Sequence, residues 1–338
     1  MTDTHTTDVA IIGAGPTGLF AVFECGMLKM NCHVIDALDM IGGQCTALYP
    51  EKPIYDIPGH PSISGGDLIN KLEEQAAPFN PTYHLSQSVT KLEKRDDASF
   101  TLETSKGVII NAKAVIVAAG VGAFGPNRPP LEGLIQYEGT SVFYMVRKRE
   151  EFRDKRIVIA GGGDSAVDWA LSLSDVAKSV QVVHRRPKFR AAPESVAQMQ
   201  QLDKDGKIEL VVPYQLEGLK GEGDQISHVV VKDFDGNVRD LEADILLPFY
   251  GLSQNLGPIA DWGIDLEKKH LSVHPTTMAT SEAGIFAVGD IITYENKLKL
   301  ILCGFSEAAM AARSAHAYAH PDEELHFEYS TSVGVPGE

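Results

Sequence analysis

Residues 8–18 read DVAIIGAGPTG, a short apolar run that passes directly into three glycines spaced G-x-G-x-x-G. The apolar run predicts a buried strand, and the helical pattern of residues 16–29 predicts a helix that begins at the glycines. Residues 33–35 (HVI) predict a second strand and complete a strand, helix, strand unit. A glycine motif at this point of such a unit is typical of an α/β domain that binds a dinucleotide.

The glycines of this motif and the acid that follows it have complementary chemistry. Glycine lets the backbone approach a pyrophosphate, which the N-terminus of the helix attracts with its free N–H groups. An aspartate ends the second predicted strand, where a carboxylate accepts hydrogen bonds from a ribose diol and repels the 2′-phosphate of NADP. A turn that needs glycine only for packing is the alternative. The predicted contacts in this unit, which suits FAD or NAD, are Gly13, Gly15, Gly18 and Asp36.

The same order of elements recurs in the second half of the chain. Residues 156–160 (RIVIA) predict a strand, a G-x-G-x-x-A motif follows, and residues 164–174 and 180–183 predict a helix and a strand. Where the first unit has its acid, this unit has the sequence HRR, whose guanidinium groups can bind a 2′-phosphate by bidentate, charge-assisted hydrogen bonds. A solvated basic face is the alternative. The predicted NADP(H) contacts are Gly161, Gly163, Ser165, Arg185, Arg186 and Arg190.

Two further stretches, residues 89–118 and 214–242, alternate apolar and polar residues between turn signals and then return to buried runs. This pattern predicts a small antiparallel meander in each half. We therefore predict an α/β fold with two Rossmann-like dinucleotide-binding domains, the NADPH domain being inserted into the FAD domain. The FAD-binding domain comprises residues 1–125 and 248–338, including a C-terminal tail, and the NADPH-binding domain comprises residues 126–247.

Length and composition agree with two globular domains. The chain has 338 residues, of which 43% are apolar and 22% charged, as is ordinary for a globular protein. Its net charge of −16 repels nucleic acid and anionic lipid. The first ten residues carry no basic region, and the longest apolar stretch, residues 114–124, is too short to span a bilayer. We predict a cytoplasmic protein with no nucleic-acid or membrane partner.

The four cysteines include no C-x-x-C pair, so neither a zinc knuckle nor a thioredoxin-type dithiol is predicted. We interpret all four as packed thiols. The alternative is a catalytic Cys45, which follows a Gly-Gly turn, although no basic neighbour is placed to lower its pKa. The cysteines are Cys25, Cys32, Cys45 and Cys303.

Two histidines near the C-terminus are separated by four residues, a possible metal-binding spacing. His316 and His320 have no third ligand or glutamate in a matching motif. We predict instead an exposed helix end that Pro321 terminates, and no metal site.

The order of the motifs resembles the two-dinucleotide flavoprotein fold of thioredoxin reductase across almost the whole chain. In chain order the motifs are GAGPTG, IGGQ, GGGDSAV, HRR with FR, and GIFAVGD. Thioredoxin reductases carry their dithiol just before the second glycine motif, where residues 142–146 here read VFYMV. Dithiol exchange by that route is therefore excluded.

Within that superfamily the chain resembles the thioredoxin-reductase-like ferredoxin-NADP reductases. The marks are GGQ at residues 42–44, LYPEK at 48–52, IYD at 54–56, GF at 304–305 and YSTS at 329–332. The resemblance implies FAD and NADP(H) as cofactors. It also implies that FAD contacts Thr17, Gln44, Tyr49, Asp56, Val89, Phe124, Asp290 and Thr331.

The resemblance assigns the two faces of the flavin to two tyrosines. It implies that Tyr49 stacks on one face and that Tyr329 covers the other, usually from the partner subunit of a homodimer. No catalytic acid or base is expected. A half-buried core tyrosine is the alternative for Tyr49, and a disordered tail is the alternative for Tyr329.

These features predict an FAD-dependent oxidoreductase that transfers electrons between NADPH and ferredoxin or flavodoxin, by hydride transfer to flavin followed by single-electron steps. The alternatives are an NADPH oxidase or quinone or disulfide reductase on the same scaffold, and a non-enzymatic redox sensor. Ferredoxins are usually acidic, as this chain is, so docking requires a local basic patch. Scattered solvated lysines are the alternative to such a patch, whose candidates are Lys268, Lys269, Lys297 and Lys299.

Overall fold

The computed structural model describes residues 3–326 and 330–335, except for the side chains of residues 123–126, 252–254, 330 and 333. Packing divides the chain into two units. The first comprises residues 1–124 and 254–338, and the second comprises residues 125–253. Each unit contains its own clusters of buried apolar side chains.

The N-terminal segment of the first unit begins with a strand, a helix and a strand. Pro16 occupies the first helical position, where its missing N–H has no intrahelical partner to lose. Ser64 begins a later helix by accepting a hydrogen bond from the N–H of Asp67 at 3.0 Å. The elements are β1 (Thr4–Ile12), α1 (Pro16–Met27), β2 (Cys32–Ile35), α2 (Gln44–Leu48), β3 (Pro53–Ile54), β4 (Ile63–Ser64), α3 (Gly65–Ala76), β5 (Thr82–His84), β6 (Val89–Lys94), β7 (Phe100–Thr104), β8 (Ile109–Val117) and β9 (Ala123–Pro126).

The second unit repeats the strand, helix, strand order and then adds three antiparallel strands. Its elements are β10 (Arg156–Ala160), α4 (Asp164–Leu173), β11 (Ser179–Val183), α5 (Pro193–Lys204), β12 (Glu209–Val211), β13 (Gln215–Glu222), β14 (Gln225–Lys232), β15 (Val238–Glu242) and β16 (Ile245–Pro248). The chain then returns to the first unit. The remaining elements are β17 (Leu252–Asn255), β18 (Leu266–Glu267), β19 (His270–Ser272), β20 (Ile285–Ala287), β21 (Ile292–Thr293), α6 (Ile301–Ala319) and α7 (Ser330–Val333).

The main sheet of the first unit has the order β5-β2-β1-β8-β7-β6. β1 runs parallel to β2 and β8, while β6, β7 and β8 form the antiparallel meander. β8 pairs with β7 through its first half and with β20 through its second half, in parallel. The carboxyl ends of β1, β2 and β20 therefore meet at one edge of the sheet, which is where parallel α/β sheets bind ligands.

The second unit contains a parallel sheet of order β12-β11-β10-β16 and an antiparallel meander of order β13-β14-β15. Its glycine motif lies between β10 and α4, at the carboxyl edge of the parallel sheet. The predicted fold class, two Rossmann-like units that each carry an antiparallel meander, is confirmed.

Helix α6 packs against the main sheet of the first unit through small residues. Ala308, Ala311, Ala312 and Ala315 are fully buried, which lets the helix backbone approach the strands closely. The helix ends at Ala319, two residues before Pro321, as predicted, but the prediction of an exposed end was wrong for His316, which is buried in the last turn. Among the helices of the described residues, none has both the length and the apolar character needed to cross a bilayer.

Candidate cofactor sites

The glycine loop between β1 and α1 is packed too closely for side chains. Gly13 has a φ of +111°, a backbone conformation that favours glycine, and a Cβ there would overlap the carbonyl of Ala118. A Cβ at Gly18 would overlap the carbonyl oxygen of Gly13. At Gly15, in contrast, a Cβ would have no atom within 4 Å. The loop is therefore tightly packed at Gly13 and Gly18 and open at Gly15, where a pyrophosphate needs space.

Asp36 follows β2 and contacts the same loop. Its Oδ2 accepts a hydrogen bond from the backbone N–H of Ala14 at 2.6 Å, and its Oδ1 accepts one from the N–H of Leu38 at 2.8 Å. Burial raises the pKa of this half-buried carboxyl, while the two hydrogen bonds act in the opposite direction. Each carboxylate oxygen retains a second lone pair, so Asp36 can still accept a hydrogen bond from a ribose hydroxyl.

A cavity of about 330 Å³ opens at this edge of the sheet, within the size range of cofactor sites. Its walls come from the glycine loop, the end of β2, the start of β6, the turn after β20 and the start of α6. Most of the predicted FAD contacts line it. These are Gly13, Gly15, Thr17, Asp36, Gln44, Tyr49, Val89 and Asp290.

The other predicted FAD contacts are placed differently. Gly18 is buried beneath the loop, where it allows α1 to approach Gly13. Asp56 and Thr331 are exposed, and neither lines the cavity. The side chain of Phe124 and the whole of Tyr329 lie outside the described residues.

Sequence reasoning missed one wall of the cavity. Leu256, Pro258, Ile259 and Trp262 line it from the segment that follows β17. This segment carries no glycine pattern and no charged group at a recognisable spacing. The only signal was an aromatic residue among apolar ones, which equally predicts a core position.

Tyr49 contacts a buried thiol at the cavity wall. The Cys45 thiol donates a hydrogen bond to the Tyr49 hydroxyl oxygen, with 3.6 Å between Sγ and Oη. Burial raises the pKa of Cys45 and also that of Tyr49. Because a nucleophilic cysteine needs a lowered pKa, this environment favours the packed-thiol interpretation of Cys45.

The first turn of α6 lies against the glycine loop. A Cβ at Gly304 would overlap the Thr17 hydroxyl, and a Cβ at Gly289 would come within 3.4 Å of it. Leu300 and Ile301 line the cavity, and among the described side chains none caps this end of α6. The partial positive charge of the helix N-terminus therefore acts on this part of the cavity.

The glycine loop of the second unit lies under a histidine. A Cβ at Gly162 would overlap the His184 ring. The Gly162 carbonyl accepts a hydrogen bond from the N–H of Arg190 at 2.6 Å, and Asp164 Oδ1 accepts one from the N–H of Ala192 at 3.1 Å. These contacts hold the segment after β11 beside the glycine loop.

The predicted NADP(H) contacts surround this loop. Arg185, Arg186 and Arg190 are exposed, as is Ser165 on the first turn of α4. Burial lowers the pKa of His184, and the charges of the three arginines lower it further. Its Nε2 is buried and has no hydrogen-bond partner among the described residues. The arrangement is a group of guanidinium ions beside an imidazole that favours its neutral form.

Only part of the predicted basic patch is exposed. Lys297 is 4% exposed and pairs with Glu307 at 2.7 Å, so its placement on a docking surface was wrong. The exposed members are Lys268, Lys269 and Lys299. The Lys299 ammonium donates a hydrogen bond to His270 Nε2 at 2.6 Å, and His270 Nδ1 lies 3.1 Å from the carbonyl oxygen of Lys268.

Comparison with known proteins gives a consistent result. The family model described as pyridine nucleotide-disulphide oxidoreductase matches residues 7–317. Proteins named ferredoxin–NADP reductase from Paramagnetospirillum magneticum and Rhodospirillum rubrum are 63% and 61% identical, over 98% of this chain and 98% and 97% of theirs. Among solved structures, the thioredoxin reductase of Lactococcus lactis is 28% identical with a TM-score of 0.78, covering 93% of this chain and 99% of that one.

Proposed function

The chain belongs to the pyridine nucleotide-disulphide oxidoreductase family, and on this premise we propose that it is an FAD-dependent ferredoxin–NADP reductase. It transfers electrons between NADPH and ferredoxin or flavodoxin. The observation that carries the proposal is the pairing of two unlike sites in one chain. The first unit ends its second strand with Asp36, which repels a 2′-phosphate, and the second presents Arg185 and Arg186, which attract one.

The cavity of the first unit suits FAD by the chemistry of its donors and acceptors. The open backbone at Gly15 receives the pyrophosphate at the N-terminus of α1, and Asp36 accepts hydrogen bonds from the adenosine ribose. Asp290, half-buried in the cavity wall, faces the ribityl chain. Gln44 and Tyr49 also line the cavity and would hold the isoalloxazine ring. We also propose FAD contacts for Phe124, Asp56 and Thr331, which the family resemblance alone supports.

Bound FAD supplies the chemistry that the side chains lack, namely acceptance of a hydride and release of single electrons. The side chains of the protein orient the flavin and shield it from water. Tyr49 provides an aromatic wall of the cavity, and burial raises the pKa of its hydroxyl further above neutrality. The partial positive charge at the N-terminus of α6, where Leu300 and Ile301 line the cavity, would stabilise negative charge on a cofactor bound there.

The C-terminal tail completes this assignment. We assign Tyr329 to the second face of the flavin, contributed by the partner subunit of a homodimer. The sequence resemblance supports this assignment. Shielding both faces excludes water and oxygen from the flavin, which directs electrons to a protein carrier.

The second unit binds NADPH. The glycine loop at the N-terminus of α4 would hold the pyrophosphate through Gly161, Gly163 and Ser165. Arg185, Arg186 and Arg190 grip the 2′-phosphate, since all three are exposed beside that loop and guanidinium groups match phosphate geometry.

A carrier protein is favoured over a disulfide as the acceptor. Cys25, Cys32 and Cys45 are buried, whereas Cys303 is only half-buried. A hydrogen bond with Cys32 and burial raise the pKa of Cys25, and burial raises the pKa of Cys45. Such thiols are poor nucleophiles for exchange with a disulfide.

The proposal is tested with the purified protein and NADPH. Reduction of ferredoxin and of flavodoxin is followed beside thioredoxin plus a disulfide substrate. We expect the carriers to be reduced and thioredoxin to remain oxidised. A protein that takes up no flavin, or one that reduces thioredoxin and neither carrier, contradicts the proposal.

A further inference from the structure

A carboxylate is buried in helix α6 behind the cofactor cavity of the first unit. Glu307 is 1% exposed and accepts three hydrogen bonds. Its Oε2 accepts from the backbone N–H of Gly289 at 2.8 Å. Its Oε1 accepts from the hydroxyl of Tyr294 at 2.8 Å and from the ammonium of Lys297 at 2.7 Å.

The charge of this carboxylate is neutralised locally. Lys297 is 4% exposed and lies 2.7 Å from Glu307, so both ions have lost most of their water. A buried ion pair gains little over an apolar pair, because desolvation offsets the attraction. Breaking such a pair on one side is costly, since the remaining charge stays buried without a counterion. Stability alone therefore gives a weak reason for burying these two ions here.

The groups that donate hydrogen bonds to Glu307 belong to the segments that form the cavity wall. Gly289 immediately precedes Asp290, and both line the cavity. Lys297 lies three residues before Leu300, where the wall continues into the first turn of α6. Glu307 thus connects the turn after β20, the segment after β21 and α6 at a single point.

We infer that Glu307 is a positioning residue for the flavin, acting with Lys297 and Tyr294 through Asp290 and the N-terminus of α6. The three side chains, here named the Glu307 cluster, hold the ribityl-facing acid and the helix N-terminus at a fixed separation. They also bury a balanced pair of charges near the flavin. The Glu307 cluster thereby sets both the affinity for FAD and its reduction potential. This inference rests on the proposed binding of FAD in the cavity.

Charge substitutions separate this role from a merely structural one. Glu307→Gln keeps the shape and an acceptor oxygen but leaves the Lys297 ammonium unpaired. Lys297→Met leaves the carboxylate unpaired, and the double variant removes both charges. Reduction adds negative charge to the flavin, so an unpaired cation raises its reduction potential and an unpaired anion lowers it. A loss of packing alone has no such dependence on sign.

The experiment compares wild-type protein, Glu307→Gln, Lys297→Met, the double variant and Tyr294→Phe. The matched control is Glu295→Gln, the same change at an exposed carboxylate of the same segment. FAD dissociation constants are measured by titrating apoprotein, and reduction potentials by equilibration with redox dyes. We expect each single charge variant to weaken FAD binding by about tenfold or more. The reduction potentials of the two single variants shift in opposite directions. The double variant recovers most of the FAD affinity and most of the wild-type potential. Tyr294→Phe has a smaller effect.

Several outcomes overturn the inference. If the single charge variants bind FAD as tightly as Glu295→Gln and have the same reduction potential, the Glu307 cluster does not position the flavin. The same conclusion follows if the reduction potentials of Glu307→Gln and Lys297→Met shift in the same direction. If a single variant does not fold, the double variant and Tyr294→Phe decide. A double variant that folds and binds FAD more weakly than either folded single variant contradicts the charge argument. Wild-type protein that binds no FAD contradicts the proposed function instead, so the two failures are distinguishable.

Discussion

The carboxylate of Asp36 reaches back to the glycine loop, where its Oδ2 lies 2.6 Å from the backbone nitrogen of Ala14. The two groups meet because β1 and β2 are parallel and paired from Val9 to Ile12, so their carboxyl ends lie side by side. The side chain that we assign to the ribose therefore also fixes the loop that we assign to the pyrophosphate. A change at Asp36 acts on both contacts.

Replacing Asp36 by Asn tests this double role. The amide keeps one acceptor oxygen but cannot make charge-assisted hydrogen bonds, each of which contributes about 1.5 to 3 kcal/mol. We expect FAD affinity to fall by about tenfold to a hundredfold, measured by titrating apoprotein with FAD. Asp39→Asn is the matched control, because Asp39 is exposed three residues further on. Equal affinities for the two variants argue against Asp36 as a ribose ligand.

Replacing Arg185 and Arg186 together by alanine tests the assignment of the second unit. Both guanidinium groups are exposed beside the glycine loop and are expected to bind the 2′-phosphate that NADH lacks. The preference for NADPH over NADH in flavin reduction should fall by about a hundredfold or more, measured by stopped-flow absorbance. Lys178→Ala is the control, since Lys178 is an exposed cation before the opposite end of β11. An unchanged preference in the arginine variant places the phosphate elsewhere.

The parts of these sites that the sequence predicted are encoded within short stretches of chain. A glycine motif between a strand and a helix determines its own local geometry, so the loops at Gly13 and Gly161 could be located before the fold was known. Asp36, Arg185 and Arg186 could be located in the same way, because they directly follow the second strand of their strand, helix, strand unit.

The parts that it missed depend on contacts between distant segments. Trp262 reaches the cavity only because the chain returns to the first unit after the second is complete. Lys297 was predicted to belong to an exposed basic patch, yet its side chain is buried in an ion pair with Glu307 on the following helix. A lysine and a glutamate ten residues apart carry no signal of pairing until the helix is packed against the sheet.

Trp262 offers an optical test of the cavity wall. The chain has two tryptophans: Trp262 lines the cavity, while Trp169 lies in the core of the second unit. Indole emission overlaps flavin absorption, so energy transfer depends on the distance between them. We expect FAD binding to quench Trp262 strongly, measured as apoprotein fluorescence in a Trp169→Phe variant, while the Trp262→Phe variant records the response of Trp169 alone. Weak quenching of Trp262 argues against FAD in this cavity.

The imidazole of His184 gives the second unit a predicted pH dependence. Folding lowers the pKa of His184 below its ordinary value of 6.5, chiefly by burial. Between the lowered pKa and 6.5 the unfolded chain therefore binds a proton that the folded unit does not. The free energy of unfolding of this unit should fall as the pH decreases through that window, and the effect should vanish above it.

His184→Gln removes this titration while keeping a polar side chain beside Gly162. Urea unfolding is followed by Trp169 fluorescence in a Trp262→Phe background, at about pH 7.5 and about pH 5.5. We expect the parent to lose more stability on acidification than the His184→Gln variant. Saturating NADP⁺ should reduce the loss in the parent, because a phosphate anion beside His184 favours its protonated form. If the parent and the variant lose stability equally, His184 does not titrate differently in the folded unit; if NADP⁺ leaves the parent's loss unchanged, the phosphate does not lie beside His184.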